Sequence, residues 1–444
     1  MQLSEDQRKA VEAVELWYAM APGTSVCSDP DCLDYKISDS CDATHTHGHS
    51  QAYRPFAIGG LAGTGKTTLI KELSALFGFP ITFATPTHKA AAVLRGKVGE
   101  NVRTYHSLIY RVMVIYRCRR SRRTLSVDPA HTCNDPECCH TERFVPCGRC
   151  MSECVIDEEP TFTQRSLLEG KHRLIVVDEA SMLTDAQVAD IRLFGVPVLL
   201  VGDHGQLPPV KEAMNQQMAK PDATLDVNHR QGEGSQITAL AYRIRAGERP
   251  RAGSYGDLAV LDYKAHSDVV QGLLKRFTVD ENRAVIVWRN ATRAMFNAAM
   301  RGHDGLPQVG DRVVCLKGCE LPTADHGEPM YVHNGALGTI AGGGHRGASK
   351  VIDLEVQLDT GEIVLTKAAL AQFGLPEPLA YNDSRRPKGN DWQSWDYGYA
   401  ITAHKAQGSE WDEVIVIDEN PMDYSRWMYT AVTRAAKRLV VVKW

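Results

Sequence analysis

Gly60-Leu61-Ala62-Gly63-Thr64-Gly65-Lys66-Thr67 is a complete G-x-x-x-x-G-K-[ST] phosphate loop, preceded by the apolar Phe56-Ala57-Ile58 and followed by the helix-like Thr68-Leu69-Ile70-Lys71-Glu72-Leu73. Strand, glycine-rich turn and helix in that order form a nucleotide site. The glycines let successive backbone N–H groups turn inward on phosphate oxygens, the Lys66 ammonium neutralises β/γ charge, and the Thr67 hydroxyl can ligate Mg²⁺. Gly60, Gly63, Thr64, Gly65, Lys66, Thr67 and Thr68 are therefore the candidate nucleotide contacts.

Reading outward from the loop, Ile81–Ala84, Leu174–Val177 and Val198–Val201 are short apolar runs of the kind buried in a parallel sheet, alternating with helical stretches such as Lys89–Leu94. That alternation predicts a doubly wound α/β domain. Ala284–Val287 and the helical Ala291–Met300 open a second α/β region, to which Glu413–Ile417 and Leu439–Val442 return. Between them, Asp311–Leu316, Gly338–Ile340 and Ile352–Leu365 are β-rich, with Asn334-Gly335 and Thr360-Gly361 as turns. This predicts a small β-barrel insertion. From Leu3 to Tyr18 the chain reads as an amphipathic helix.

At 444 residues there is room for two or more domains. No apolar run approaches the about 20 residues needed to cross a bilayer, and the first residues lack a charged region followed by an apolar core. The expectation is an intracellular, cytoplasmic protein with no membrane association. Net charge is −4, so any nucleic-acid binding must come from a local groove. Arg117, Arg119, Arg120, Arg122 and Arg123 crowd into seven positions and read equally as such a groove or as a solvated loop.

Ten of the twelve cysteines fall in two windows, Cys27 to Cys41 and Cys118 to Cys154. In a reducing compartment, such spacing beside histidine points to zinc. The candidate ligands are Cys27, Cys32, Cys41 and His45 in the first window and Cys133, Cys138, Cys147, Cys150 and Cys154 in the second. Ten cysteines with the nearby histidines suffice for about two or three tetrahedral Zn²⁺ sites. A C-x-D-P-x-C pattern occurs in both windows, at Cys27–Cys32 and Cys133–Cys138. Cys315 and Cys319 read as ordinary residues near a core.

Val176-Val177-Asp178-Glu179 is an apolar strand ending in paired acids. In that place Asp178 can hold Mg²⁺ and Glu179 can orient or deprotonate a water. Gly202–Pro209 follows another buried strand and places Gln206 to sense a γ-phosphate. Phosphoryl transfer also calls for guanidinium groups from outside the loop, and Arg230 and Arg434 are the candidates.

Taken in order, these segments resemble superfamily 1 helicases, most closely the RecD-like and phage Dda-like branch, superfamily 1B. The likeness is carried by Gln7 in Ser4-Glu5-Asp6-Gln7-Arg8, the phosphate loop, Ala84–Ala91, Thr104-Tyr105-His106-Ser107, Asp178-Glu179, Gly202–Pro209, Arg230, Thr402–Gly408 and Val432-Thr433-Arg434. It covers nearly all of the chain except the cysteine windows. The resemblance implies two RecA-like P-loop domains in tandem, with ATP and Mg²⁺ between them, Gln7 on the adenine, and Arg230 and Arg434 acting across the cleft. It further implies a single strand lying over Thr85, Pro86, Thr87, His88, Thr104 and His106 on one domain and Thr402, His404 and Lys405 on the other, with movement 5′→3′. Hydroxyls, amides and cations on phosphates suit sequence-independent binding, and Tyr105, Trp288 and Trp395 are candidate base stackers.

The expected layout is domain 1A over 1–105, with a cysteine-rich insertion at 24–50, and domain 1B, arginine- and cysteine-rich, over 106–165. Domain 1A resumes over 166–220, domain 2A covers 221–308, an SH3-like β-barrel covers 309–394, and domain 2A resumes over 395–444. In Dda-like helicases the 1B position holds a duplex-splitting wedge; here the expectation is a zinc-stabilised module. Single-stranded DNA and duplex junctions are the expected partners, with replication or repair proteins beside them and a monomer as the working form. The competing readings are an RNA helicase or remodelling factor, and a zinc-dependent nucleic-acid-binding protein whose ATPase is a switch.

Overall fold

The computed structural model describes residues 3–20, 54–99, 101–117, 124–125, 159–164, 173–209, 212–227, 235–325, 327, 329–345, 347, 349–380, 383–387 and 392–444. The chain divides into two compact units, Met1–Thr104 with Lys171–Trp444, and Tyr105–Gly170.

Strands run in chain order as β1 (Phe56–Gly60), β2 (Thr82–Thr85) and β3 (Val102–Thr104), then β4 (Tyr110–Arg117), β5 (Thr124–Leu125) and β6 (Glu159–Gln164) in the smaller unit, then β7 (Ile175–Val177), β8 (Val198–Gly202) and β9 (Ala223–Leu225). The smaller unit holds the short helix Tyr105–Ile109 and an antiparallel sheet with β4 between β5 and β6.

In the larger unit the first sheet has the order β3-β2-β7-β8-β1-β9, and every neighbouring pair is parallel. Its central strands are apolar throughout because helices cover both faces: Ile175–Val177 and Val198–Gly202 are wholly buried. The N-terminal helix Glu5–Met20 joins this core through Ala10 and Val14. A reciprocal capping box between Thr184 and Gln187 starts the helix Asp185–Arg192. Parallel strands put all their carboxyl ends on one edge, where ligands gather in such sheets. The sheet extends past the boundary expected at residue 220, since Ala223–Leu225 pairs with β1.

The second sheet is built from β10 (Gly253–Tyr255), β11 (Leu258–Asp262), β12 (Arg283–Val287), β20 (Ala400–Thr402), β21 (Trp411–Asp418) and β22 (Ala435–Lys443). Its order is β10-β11-β22-β21-β12-β20, parallel except for the β10–β11 hairpin. Helices Gln236–Arg245, Ser267–Arg276, Asn290–Arg301 and Tyr424–Val432 belong to the same domain.

Between Asn290–Arg301 and β20 the chain forms β13 (Arg312–Cys315), β14 (Cys319–Leu321), β15 (Met330–Val332), β16 (Leu337–His345), β17 (Val351–Leu358), β18 (Ile363–Ala369) and β19 (Trp395–Tyr397). Five of these make an antiparallel sheet, β18-β17-β16-β13-β19, and β14 pairs with β15. The buried positions of β17 alternate, Ile352, Leu354, Val356 and Leu358, as one-sided burial requires. Ala368 of β18 forms an isolated bridge with Gln393, which precedes β19. Cys315 and Cys319 are free thiols packed in this core. The insertion is fastened to its parent domain by Arg293, which donates to Asp396 and to the carbonyls of Leu375 and Pro376.

Two of the candidate base stackers are packing residues: Tyr105 and Trp395 are both fully buried. Trp288 is partly buried, with the Arg289 guanidinium 4.6 Å from its ring centroid.

Candidate nucleotide site and strand track

The phosphate loop turns at Gly63 and Gly65, whose φ values of 86° and 77° favour glycine. Lys66 curls back over it, its Nζ donating to the carbonyls of Gly60 and Leu61, each at 2.9 Å. Gln7 is held beside the loop: its Nε2 donates to Thr64 O at 3.2 Å and its Oε1 accepts from Ser4 N at 3.0 Å. Asp6 fixes the start of the same helix by accepting the N–H groups of Asp226 and Val227.

Asp178 follows β7, and its N–H donates to Ala84 O. Burial and the neighbouring Glu179 push its carboxyl up to about 6, against the lowering effect of Lys66. Glu179 donates its N–H to Asp178 Oδ1 at 2.8 Å and has φ 55°, in the left-handed region a non-glycine residue rarely adopts. Its Oε2 is buried without a hydrogen-bond partner among the described residues. An acidic pair so placed, with one Glu179 oxygen unmatched, suits Mg²⁺ on Asp178 and a water on Glu179. Mg²⁺ bound there would offset the charge of a transferring phosphoryl group.

Gln206 sits in the turn after β8. Its Nε2 donates to Asp203 Oδ2 at 3.3 Å, and its Oε1 has no partner among the described residues. His204, in the same turn, is held below the usual histidine range by burial and by the Arg245 charge.

This edge of the first sheet is joined directly to the second domain. Tyr429 OH donates to Asp203 Oδ2 at 2.7 Å and accepts from Ala62 N at 3.0 Å. Leu207 N donates to Thr430 Oγ1 at 2.9 Å, while Gln407 Nε2 donates to Leu207 O at 2.8 Å. The Leu207 side chain is buried in the core of the second domain.

Further along the same edge, Thr85 and Thr104 are cross-strand partners. Thr85 Oγ1 donates to Thr87 O, and Thr87 caps the helix His88–Val98 by accepting from Ala90 N. Pro86 lies between them, half-buried. On the second domain Thr402 ends β20 and precedes the short helix Ala403–Ala406, which carries His404 and Lys405. Burial, then the Arg293 charge, lowers Lys405 to about 8. His404 is likewise lowered by burial. In the smaller unit His106 packs edge-on to Tyr105 and is lowered by burial.

Arg434 is 5% exposed, and its donors go to its own domain: Nε to Thr430 O, Nη1 to Ser409 O and Nη2 to Thr433 Oγ1. Arg230, the side chain of His88, and the zinc candidates Cys27, Cys32, Cys41, His45, Cys133, Cys138, Cys147, Cys150 and Cys154 lie outside the described residues. Among the described residues no group of three or more His, Cys, Asp or Glu is placed to hold a metal ion, and no helix is long and apolar enough to cross a membrane. Sequence reasoning did not single out Asp203, Gln407, Tyr429 or Thr430. Each lies inside a segment whose neighbour was chosen, and only its partner in the other domain marks it.

Residues 43–272, more than half of the chain, match the family model described as AAA domain. The chain belongs to the AAA domain family. Residues 397–442 match a second model, the UvrD-like helicase C-terminal domain. Together the two matches agree with the RecD-like superfamily 1 resemblance drawn from the motifs.

The ATP-dependent RecD2 DNA helicase of Deinococcus radiodurans is 26% identical over 417 residues, 87% of this chain and 46% of that protein. The RecBCD enzyme subunit RecD of Mycolicibacterium smegmatis is 28% identical over 431 residues, 86% of this chain and 66% of that protein. The chain thus spans about half the length of the first relative and 66% of the second. Among solved structures, a Bacteroides Pif1 helicase in complex with ADP-AlF3 and ssDNA aligns over 99% of this chain and 92% of that chain, with 18% identity and TM-score 0.47.

Proposed function

We propose that this chain is an ATP-dependent DNA helicase that translocates 5′→3′ on single-stranded DNA and separates duplex strands. One observation carries the reading: the phosphate loop and the Asp203–Leu207 turn of the first parallel domain hydrogen-bond directly to the helix Tyr424–Val432 and to Gln407 of the second. A nucleotide on that loop would therefore lie at a seam between domains, where Gly408 of the second also stands against Thr87 of the first. The names of the two relatives support the same activity. In this reading Lys66 binds phosphate, Thr67 and Asp178 hold Mg²⁺, Glu179 activates water, Gln206 senses the γ-phosphate and Gln7 meets the base. Arg230 and Arg434 supply guanidinium charge, for which Arg434 must give up its bonds to Thr430 and Ser409.

The cysteine windows belong to the proposal as a zinc-stabilised module beside the duplex junction. Support comes from the spacing of their cysteines. Trp17 Nε1 donates to Arg54 O and Tyr18 OH to Arg173 O, each at 3.3 Å. Tyr18 also packs on Phe77 and Phe79, and the Arg173 guanidinium lies over Phe79. The insertion after Arg301 is read as an SH3-like barrel, and the working form as a cytoplasmic monomer.

Strand displacement tests the reading, using matched 5′-tailed and 3′-tailed DNA and RNA duplexes, with and without zinc chelation. Unwinding of 5′-tailed DNA alone is the expected result. Preference for RNA, or strand-stimulated hydrolysis without displacement, overturns it. Metal analysis of the purified protein and of Cys27→Ser and Cys133→Ser variants tests the zinc module, and absence of zinc from the unaltered protein removes it.

A further inference from the structure

The hydroxyl of Tyr429 both donates and accepts across the seam, and the directions are set by chemistry. Ala62 N–H can only donate, so the tyrosine oxygen accepts from it at 3.0 Å; the Asp203 carboxylate can only accept, so the tyrosine proton goes to it at 2.7 Å. Asp203 is fully buried, and its other bonds come from Gly205 N at 2.9 Å and from Gln206 Nε2 at 3.3 Å. One hydroxyl thereby joins the phosphate loop to the turn that carries Gln206. The ring is 1% exposed, with the Arg245 guanidinium 5.6 Å from its centroid.

Within Tyr424–Val432 this arrangement differs from that of the other tyrosine with a carboxylate partner. Tyr424 OH donates to Asp418 Oδ2 at 2.8 Å, and both residues belong to the second domain. The two hydroxyls make bonds of the same kind, but only that of Tyr429 crosses between domains.

We propose that Tyr429 is a positioning residue: its hydroxyl is the latch through which the phosphate loop at Ala62 and the Asp203–Gln206 turn are coupled to the second parallel domain. The proposal rests on the ATPase reading above for its kinetic consequence, though not for its geometry. A phosphate that repositions the loop changes the acceptor available to Ala62 N–H, and the change passes through one oxygen to Asp203 and Gln206. Chained hydrogen bonds polarise one another, so loss of the middle member weakens both ends.

The test compares Tyr429→Phe with Tyr424→Phe in the full chain, by amide exchange and by steady-state hydrolysis. For Tyr429→Phe the expected result is exchange of the 60–66 amides faster by about tenfold, the equivalent of one hydrogen bond. Strand-stimulated kcat should fall by about tenfold or more while the KM for ATP moves by less than about threefold. Tyr424→Phe should change neither readout. Combining Tyr429→Phe with Asp203→Asn should cost less than the product of the two single effects. Faster loop exchange in a protein that hydrolyses no ATP upholds the latch and removes the ATPase reading instead. Unchanged exchange at 60–66, or equal losses in both tyrosine variants, overturns the latch.

Discussion

Gly408 of the second parallel domain stands against Thr87 of the first, so close that a Cβ on Gly408 would lie 3.0 Å from Thr87 Oγ1 and 3.3 Å from Ala90 Cβ. Its φ of 69° adds a conformational penalty for any other residue. Gly408→Ala is therefore expected to cost about 1–2 kcal/mol from the left-handed backbone alone, lowering the melting temperature by a few degrees. The crowding should also weaken single-strand affinity, because Thr87 starts the helix beside the proposed track. Thermal melting and fluorescence anisotropy with a labelled oligonucleotide check both effects.

Acidification should disable the proposed Mg²⁺ site. Asp178 is raised to about 6, so below that pH its neutral form prevails and cannot hold the cation. The shift favours the protonated fold: its contribution to stability is present below the ordinary carboxylate range and is lost as pH rises through about 6. The half-saturating Mg²⁺ concentration for hydrolysis should rise about tenfold per pH unit below 6, as expected for one proton competing with one cation. A flat Mg²⁺ requirement between pH 5 and 7.5 would contradict this.

Glu179 presents a buried, unmatched oxygen on a strained backbone. Glu179→Gln keeps its shape and removes the base, so turnover should fall by about 10²–10⁴-fold with nucleotide affinity retained. Lys66→Ala should instead remove nucleotide affinity and hydrolysis together, leaving strand binding largely intact. Equilibrium binding of a fluorescent ATP analogue separates the two variants.

Lys405 is lowered to about 8, so its charge is lost as pH rises through that value. Single-strand binding should weaken between pH 7 and 9, and the slope of log affinity against log salt should shrink by about one contact's worth, roughly 0.7. Lys405→Ala should remove the pH dependence. Binding titrations across pH and salt decide this.

Arg293 and Asp396 form a buried pair between the helix Asn290–Arg301 and the β-rich insertion. Arg293→Met leaves the Asp396 carboxyl buried without its cation and should destabilise by about 3–5 kcal/mol. Adding Asp396→Leu should recover much of the loss. Denaturant unfolding of the single and double variants measures both.

The nucleotide-site candidates could be picked out of the sequence because their signals are local. A phosphate loop needs its glycines, lysine and threonine consecutive in the chain, and Asp178-Glu179 must follow a buried strand directly, so spacing alone locates both. The two parallel sheets were legible for the same reason, since strands buried on both faces are apolar throughout. Boundaries were harder: Ala223–Leu225 is a short strand that joins the first sheet only by pairing with β1. Tyr105 and Trp395 were ambiguous because an aromatic ring has the same sequence signature whether it stacks on a base or fills a core.

What the sequence by itself determined is the set of candidates proposed for the chemistry: Lys66, Thr67, Asp178, Glu179 and Gln206 on one domain, and a polar Thr402–Gly408 segment on the other. Only the tertiary structure decided how the two halves are joined. Tyr429 lies 367 positions from Ala62 and 226 from Asp203. No periodicity links residues so far apart. Their contact exists because the two sheets' domains present complementary hydrogen-bonding groups at one seam, and a hydrogen bond depends on distance in space.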